Sequence, residues 1–282
     1  FKRNKKVLLF LIKEKMLIID DYIFELFTSY NRYIKDHYPH YFLPEIKPFM
    51  TETWKLNPKY IVTKQLIEEL KEEIPENFEE NREIGENESL ICTMIRNDSV
   101  EEFITYINKT NYPLDSHIKP SIYETNIFLN KNQEIPKIKL INCASFYGSI
   151  QIFQYLRLNG VELDPSLWLY SIHSNNPELF HLLEENHVSF TSSVCVQCFK
   201  ESIKCHHNEI ANYIKENYLF NMNYSATLLE QSLKNYNFCF IENDSIGLFC
   251  FYELCRYDYY YFVKFLLKNI DIYINSKKIS NR

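Results

Sequence analysis

The sequence predicts an all-α fold built from consecutive helix pairs, and three observations lead to this prediction. Glycine is scarce, with 4 in 282 residues, which disfavours sandwiches and barrels because their tight hairpins need residues with positive φ. Hydrophobic residues make up 46% and aromatic residues 16% of the chain, enough for a large core. Finally, one pattern of apolar stripe and helix terminator recurs along the chain, as expected for a helical-repeat solenoid.

The N-terminal region, residues 1–87, lacks this pattern. Segments 20–42 and 57–74 have helical periodicity, so we expect a helical region that covers the first hydrophobic face of the repeats. Residues 68–88 contain ten acidic and two basic side chains and are predicted to form a solvated helix end and linker, with a docking site for a basic partner as the alternative. The remaining chain is nearly neutral, which argues against sequence-independent binding of nucleic acid.

The repeat is clearest in residues 144–160, ASFYGSIQIFQYLRLNG. Gly148 is predicted to end one short helix, Ser149 to cap the next, and Gly160 to close that second helix in the left-handed region. The apolar stripe between the two glycines has helical spacing and consists of Ile152, Phe153, Tyr155 and Leu156.

The same pattern recurs at residues 171–187, 202–218 and 254–270, and more weakly at 95–111. The aligned stripe positions are apolar or aromatic in every copy, including Phe262 and Phe265 in the last one. We therefore predict that the best-matched positions are buried: Ile152, Phe153, Leu156, Leu179, Leu182, Leu183, Ile210 and Ile214. A terminator column contains Asn in four of five copies, including Asn186 and Asn217, and Asn favours left-handed or capping geometry.

The spacing of the copies is irregular. The turns are predicted at Ser99, Gly148, Asn175, His206 and Asp258, at intervals of 49, 27, 31 and 52 residues. Three prolines favour a loop over residues 112–139, and residues 225–241 are predicted to form another degenerate helix pair. The predicted domains are 1–87, the helical region with its acidic linker; 88–275, the repeats; and 276–282, a polar tail.

These repeats resemble the ankyrin repeat, whose second half reads A-x-x-x-G-H-x-E-I-V-x-x-L-L-x-x-G. More closely, they look like a divergent ankyrin-type family that is abundant in some protists and has no assigned function. The resemblance implies structural roles for Ala144, Gly148, Gly160, Asn186, His207 and Asn217. The chain departs from the ankyrin pattern because it lacks the Thr-Pro-Leu-His signature and the regular period of about 33 residues.

A zinc site is the chemical alternative. Cys195 and Cys198 are spaced C-x-x-C, and Cys205, His206 and His207 follow. However, positions 198, 202 and 205 share one helix face, so buried hydrophobic cysteines are the preferred interpretation. No nucleophile, phosphate-loop or metalloprotease motif occurs, and we predict no catalytic residue, no cofactor, no metal and no enzyme.

The predicted location is the cytoplasm, because eight cysteines occur without a recognisable export signal and no apolar run is long enough to cross a membrane. A chain that is one segment of a longer protein, with its activity encoded elsewhere, is a further alternative.

The predicted function is non-catalytic protein–protein interaction through the concave side of the repeats, with no role for nucleic acid or membrane. The candidate binding residues lie near the ends of the first helices and are expected to point away from the core: Phe146, Tyr147, His173, Lys204, Arg256 and Tyr257. The alternatives are that they are merely exposed or pack under the inserts, or that the chain is a metal-binding protein or enzyme with zinc around Cys195–His207.

Overall fold

A computed structural model describes residues 4–28, 38–49, 75–126, 128–129, 138–219, 225–240 and 248–269. These residues are mostly helical, and none of them belongs to a β-strand, apart from one isolated bridge between His117 and Lys139. The predicted all-α class is therefore confirmed, whereas a solenoid of the ankyrin type stays a prediction.

The chain divides into two compact units. The first comprises Phe1–Ala144 with Gln151–Val161, and the second comprises Ser145–Ile150 with Glu162–Arg282. The predicted domain boundary after residue 87 stays a prediction, and the predicted tail at 276–282 lies outside the described residues.

The N-terminal part of the first unit contains five described helices and one 3-10 turn. Their bounds are α1, Lys5–Lys13; α2, Asp21–Thr28; α3, Tyr38–Tyr41; α4, Leu43–Ile46, followed by the turn Lys47–Phe49; and α5, Phe78–Ile84. Apolar side chains from α1 to α4 form one core cluster that includes Leu9, Phe27, Phe42 and Ile46. The described part of the acidic stretch is mostly exposed, as predicted for its carboxylates.

Arg82 is a buried charged residue within that acidic stretch, since its side chain is 2% exposed. Its guanidinium donates to both oxygens of Glu45, at 2.7 and 2.8 Å, and to Glu79 at 2.9 Å. A charge removed from water needs such partners, and two parallel bonds to one carboxylate suit the guanidinium fork. These bonds attach α5 to α4.

The repeat region contains eleven further described helices. Their bounds are α6, Leu90–Arg96; α7, Val100–Thr110; α8, Leu140–Tyr147; α9, Ile150–Leu158; α10, Leu167–Ser174; α11, Pro177–Glu185; α12, Ser192–Lys204; α13, Asn208–Tyr218; α14, Ser225–Lys234; α15, Leu248–Arg256; and α16, Tyr260–Asn269. The described part of 112–139 contains no helix, in agreement with the predicted loop.

Residues with positive φ mark the turn inside each helix pair. Gly148, Asn175, His206 and Asp258 adopt this conformation as predicted, with φ between 51° and 75°. The fifth predicted turn residue, Ser99, is wrong by one position, because Asp98 takes the left-handed conformation. The Asp98 carboxylate also accepts the N–H groups of Gln151 and Ile152, both at 3.0 Å, and so caps α9.

A further turn, at Tyr236 with φ 57°, lies within the predicted degenerate pair. Only the first helix of that pair, α14, is formed as predicted. The described residues after the turn form a short 3-10 helix, Phe238–Phe240, in place of the expected second helix.

The predicted core is buried. All eight residues that were predicted to be buried are at most 9% exposed. A small residue lies four positions before the turn in four repeats and is fully buried in each: Ala144, Ser171, Ser202 and Ser232. The last repeat differs from the others, since Phe262 and Phe265 are 52% and 60% exposed while Leu266 is buried. The helix that carries them, α16, is the last described element, so no described helix follows to cover that side.

The helix terminators act in two ways. Gly160 has φ +84°, as predicted for a left-handed terminator. Asn186 caps its helix, but the left-handed option is wrong for it: its φ is −87°, and the positive φ belongs to His187. Instead, its side-chain amide donates to the carbonyl four residues back, at 2.6 Å, and Asn217 makes the same bond at 2.8 Å. The asparagine column therefore satisfies free helix carbonyls with side chains.

Candidate functional site

In three repeats, the residue that follows the turn links its repeat to the previous one. His207 Nδ1 donates to the carbonyl of Ile172 at 2.7 Å. In the next repeats, Asn237 donates to the carbonyl of Ile203 at 2.9 Å, and Tyr259 Oη donates to that of Leu233 at 2.6 Å. Each carbonyl lies three residues before the preceding turn. Equivalent ends of successive first helices are thus tied together, and the role that the ankyrin resemblance implies for His207 stays a prediction.

Side chains at the ends of α8, α10 and α12 meet in what we call the first-helix cluster, formed by Phe146, His173, Glu201, Lys204 and Cys205. The Phe146 ring stacks on the His173 ring, with centroids 4.8 Å apart. His173 Nδ1 lies 3.7 Å from Cys205 Sγ, and Nε2 lies 3.3 Å from Glu201 Oε1. Lys204 donates to the same Glu201 oxygen at 2.6 Å.

The cluster holds Glu201 in its charged form. Burial alone would raise the pKa of this carboxyl group, but hydrogen bonds from His173 and Lys204, together with the charge of Lys204, lower the pKa to about 2. Glu201 is therefore a carboxylate at neutral pH, although its side chain is only 17% exposed.

The pKa of Cys205 is shifted in the opposite direction. Burial raises the pKa of its thiol to about 11, and the nearby Glu201 carboxylate adds to that rise. The side chain is consequently a neutral thiol at pH 7, and it lacks the low pKa that a nucleophilic cysteine needs.

Arg256 and Tyr257, at the end of α15, form a separate group. The Arg256 guanidinium lies 5.4 Å from the centre of the Tyr257 ring. It also lies 3.4 Å from a carboxylate oxygen of Glu253 and 3.7 Å from one of Glu230. Glu253 occupies the repeat position of Glu201, and Arg256 that of Lys204, so an acid followed three residues later by a base recurs at this site.

The predicted binding residues differ in their accessibility. Lys204 and Arg256 are exposed, and Tyr147, His173 and Tyr257 are half-buried. The expectation that Phe146 points away from the core is wrong: it is 8% exposed, because it packs against His173 and lies edge-on to Tyr147 at 5.1 Å. Whether any of the six binds a partner stays a prediction.

The C-x-x-C pair lies on α12 and is buried, with Cys195 2% and Cys198 0% exposed. Burial raises the pKa of both thiols, that of Cys195 to about 11, which suits the interpretation as small hydrophobic residues. Among the described residues, the three-residue group with metal-binding side chains is instead His173, Glu201 and Cys205.

The sequence did not identify this group as a unit, because His173 and Glu201 belong to different repeats. A usable signal exists in the repeat alignment. His173 lies two positions before its turn, and in the next repeat Cys205 lies one position and Glu201 five positions before the turn. Contacts between neighbouring repeats bring these positions together.

No helix in the described part of the chain combines the length and the apolar character needed to cross a membrane. Comparison of the chain with protein families, with curated proteins and with solved structures gave no match. The ankyrin resemblance therefore stays a prediction.

Proposed function

We propose that this chain is a non-catalytic protein-interaction module that binds another protein with the ends of its first helices. In an ankyrin-like stack these ends line up along the concave side. Its partner is a protein and its location the cytoplasm, as the sequence predicts.

One observation carries the proposal: equivalent positions in consecutive repeats lie side by side. The residue two positions before the turn is Phe146, His173 or Lys204 in three successive repeats, and these side chains meet in the first-helix cluster. Their chemistry varies, whereas the small residue two positions earlier is fully buried in each of these repeats. A recognition surface requires varied, accessible side chains on a constant framework, and half-buried His173 and exposed Lys204 provide them, with the buried Phe146 ring supporting His173.

The test is capture of bound proteins from the native cell with the double variant Lys204→Gln/Arg256→Gln. Lys204 and Arg256 are exposed, but their carboxylate partners Glu201 and Glu253 are 17% and 3% exposed, so we expect the melting temperature to fall and the capture is made at a temperature at which the variant is folded. The amount of the principal partner recovered, measured by quantitative mass spectrometry, should fall.

A matched control is Lys264→Gln/Lys268→Gln, which removes the same charge from exposed positions on the second helix α16. This variant should recover the partner normally. Equal recovery by both variants, or equal loss from both, would contradict a binding surface at the first-helix ends.

A further inference from the structure

We propose that His173, Glu201 and Cys205 form a binding site for one zinc ion at the junction of two repeats. The site goes beyond the proposed interaction function and does not depend on it. It also differs from the site suggested by the C-x-x-C spacing, since neither Cys195 nor Cys198 takes part.

The distances suit tetrahedral zinc. Sulfur and nitrogen ligands lie about 2.3 and 2.0–2.1 Å from zinc, so a tetrahedral ion separates them by about 3.6 Å. The observed distance from His173 Nδ1 to Cys205 Sγ is 3.7 Å. The ligand atoms of all three residues lie within 4.8 Å of one another. Glu201 Oε1 lies 3.3 Å from Nε2, the other ring nitrogen, so the Glu201 side chain must turn toward Nδ1 to bind the same ion as Cys205.

The site is partly organised without an ion. The stacked Phe146 ring restrains the plane of the imidazole, with 26° between the two rings. Cys205 and Glu201 lie four residues apart at the end of α12, so both face His173 from one side of a helix. All three ligands are half-buried, which limits competition from water while leaving room for a fourth, solvent ligand.

Binding exchanges a proton for a metal bond. The Cys205 thiol loses its proton to solvent as the bond from sulfur to zinc forms. The positive charge of the zinc ion then stabilises the buried thiolate. Glu201 loses the hydrogen bond that it accepts from Lys204 and binds the metal ion instead. The ammonium of Lys204 therefore competes with zinc for the same oxygen, at 2.6 Å.

The experiment titrates the purified, reduced chain with Co²⁺ as a spectroscopic substitute and then displaces it with Zn²⁺. We expect one equivalent of cobalt to produce the near-ultraviolet sulfur-to-cobalt band and the strong visible bands of tetrahedral cobalt. Cys205→Ser should abolish the sulfur band and weaken zinc binding by at least about tenfold. Glu201→Gln should weaken binding, and Lys204→Gln should strengthen it.

Two controls replace a cysteine and a histidine outside the proposed site. Cys255→Ser removes an exposed thiol, and His181→Gln removes an exposed imidazole that lies 3.4 Å from Glu184 without a cysteine. Both should bind cobalt as the wild type does. Zinc should raise the melting temperature of the wild type and of these controls, but not that of Cys205→Ser.

X-ray absorption of the zinc-loaded wild type provides a test that does not depend on any variant folding. One sulfur at about 2.3 Å, with nitrogen and oxygen in the other positions, supports the site. The absence of a sulfur band at one equivalent of cobalt would overturn it. A sulfur band that survives in Cys205→Ser, or two or more sulfur ligands in the absorption data, would do the same.

Discussion

Gly160 illustrates how a single residue ends a helix in this chain. Its φ is +84°, and no atom lies within 4 Å of the position that a Cβ would occupy. The cost of a side chain there therefore comes from the backbone conformation and not from a clash. We predict that Gly160→Val lowers the free energy of unfolding by roughly 1–2 kcal/mol, because a β-branched residue resists this region.

Gly160→Asn should cost less than Gly160→Val, because Asn adopts the left-handed conformation readily, as Asn111 and Asn175 do at φ 50° and 51°. Urea unfolding of both variants compares the two costs directly. Equal stability of the Val and Asn variants would show that the terminator assignment is mistaken.

Glu201 makes the stability of the fold depend on pH in the acidic range. Its pKa in the folded chain, about 2, lies below the ordinary value of 4.5, so the folded state favours the carboxylate. The resulting stabilisation is complete above the unfolded pKa, near 4.5, and is lost as the pH falls through 2. The difference between these two pKa values corresponds to roughly 3 kcal/mol, and solvent screening of the partly exposed carboxylate reduces that amount.

We predict that Glu201→Gln is less stable than the wild type at pH 7 and that the difference shrinks between pH 4.5 and 2. Chemical unfolding at several pH values measures it, with the exposed Glu209→Gln as the control. A constant difference between Glu201→Gln and the wild type across that range would contradict the role of the charged cluster.

At the scale of the helix pair, the sequence predicts the features that depend on residues close together in the chain. The burial of Leu183, the left-handed terminator at Gly160 and the turn at Gly148 all depend on spacing along one helix pair, and all are confirmed. The turn at Asp98 was missed because its carboxylate caps a helix in the next repeat, some fifty residues along the chain. Tyr236 was missed because the described residues that follow it form a 3-10 helix, Phe238–Phe240, in place of the start of an α-helix.

Contacts between repeats are expected to stabilise the fold more than caps within one helix. Asn237 is 1% exposed, and its amide donates to the Ile203 carbonyl at 2.9 Å and to Asn208 at 2.7 Å. Asn237→Ala leaves a buried carbonyl without this donor, so we predict a loss of about 1–3 kcal/mol in the free energy of unfolding. The measurement is denaturant unfolding followed by circular dichroism.

Asn217→Ala is the matched control, because the exposed Asn217 amide bonds only within its own helix, to the Tyr213 carbonyl at 2.8 Å. Its expected cost is below about 1 kcal/mol. If the two variants lose the same stability, the bonds between repeats have no special role.

At the scale of the whole molecule, the sequence predicts the class of fold and the repeated helix pairs, but not the site. Lys204 was selected for its position before a turn, and it is exposed as expected. The partners of His173 could not be read from the sequence, since Glu201 and Cys205 contact it only when two repeats pack together. Phe146 was misjudged for the same reason, because the ring that buries it belongs to the next repeat.

The central claim is that the ends of the first helices form the surface that binds a partner protein. Hydrogen–deuterium exchange of the chain, alone and with its principal captured partner, tests this most directly. We expect the partner to slow exchange at residues 145–148, 172–175, 203–206 and 255–258. Protection confined to the second helices α11, α13 and α16, with these four segments unchanged, would contradict it.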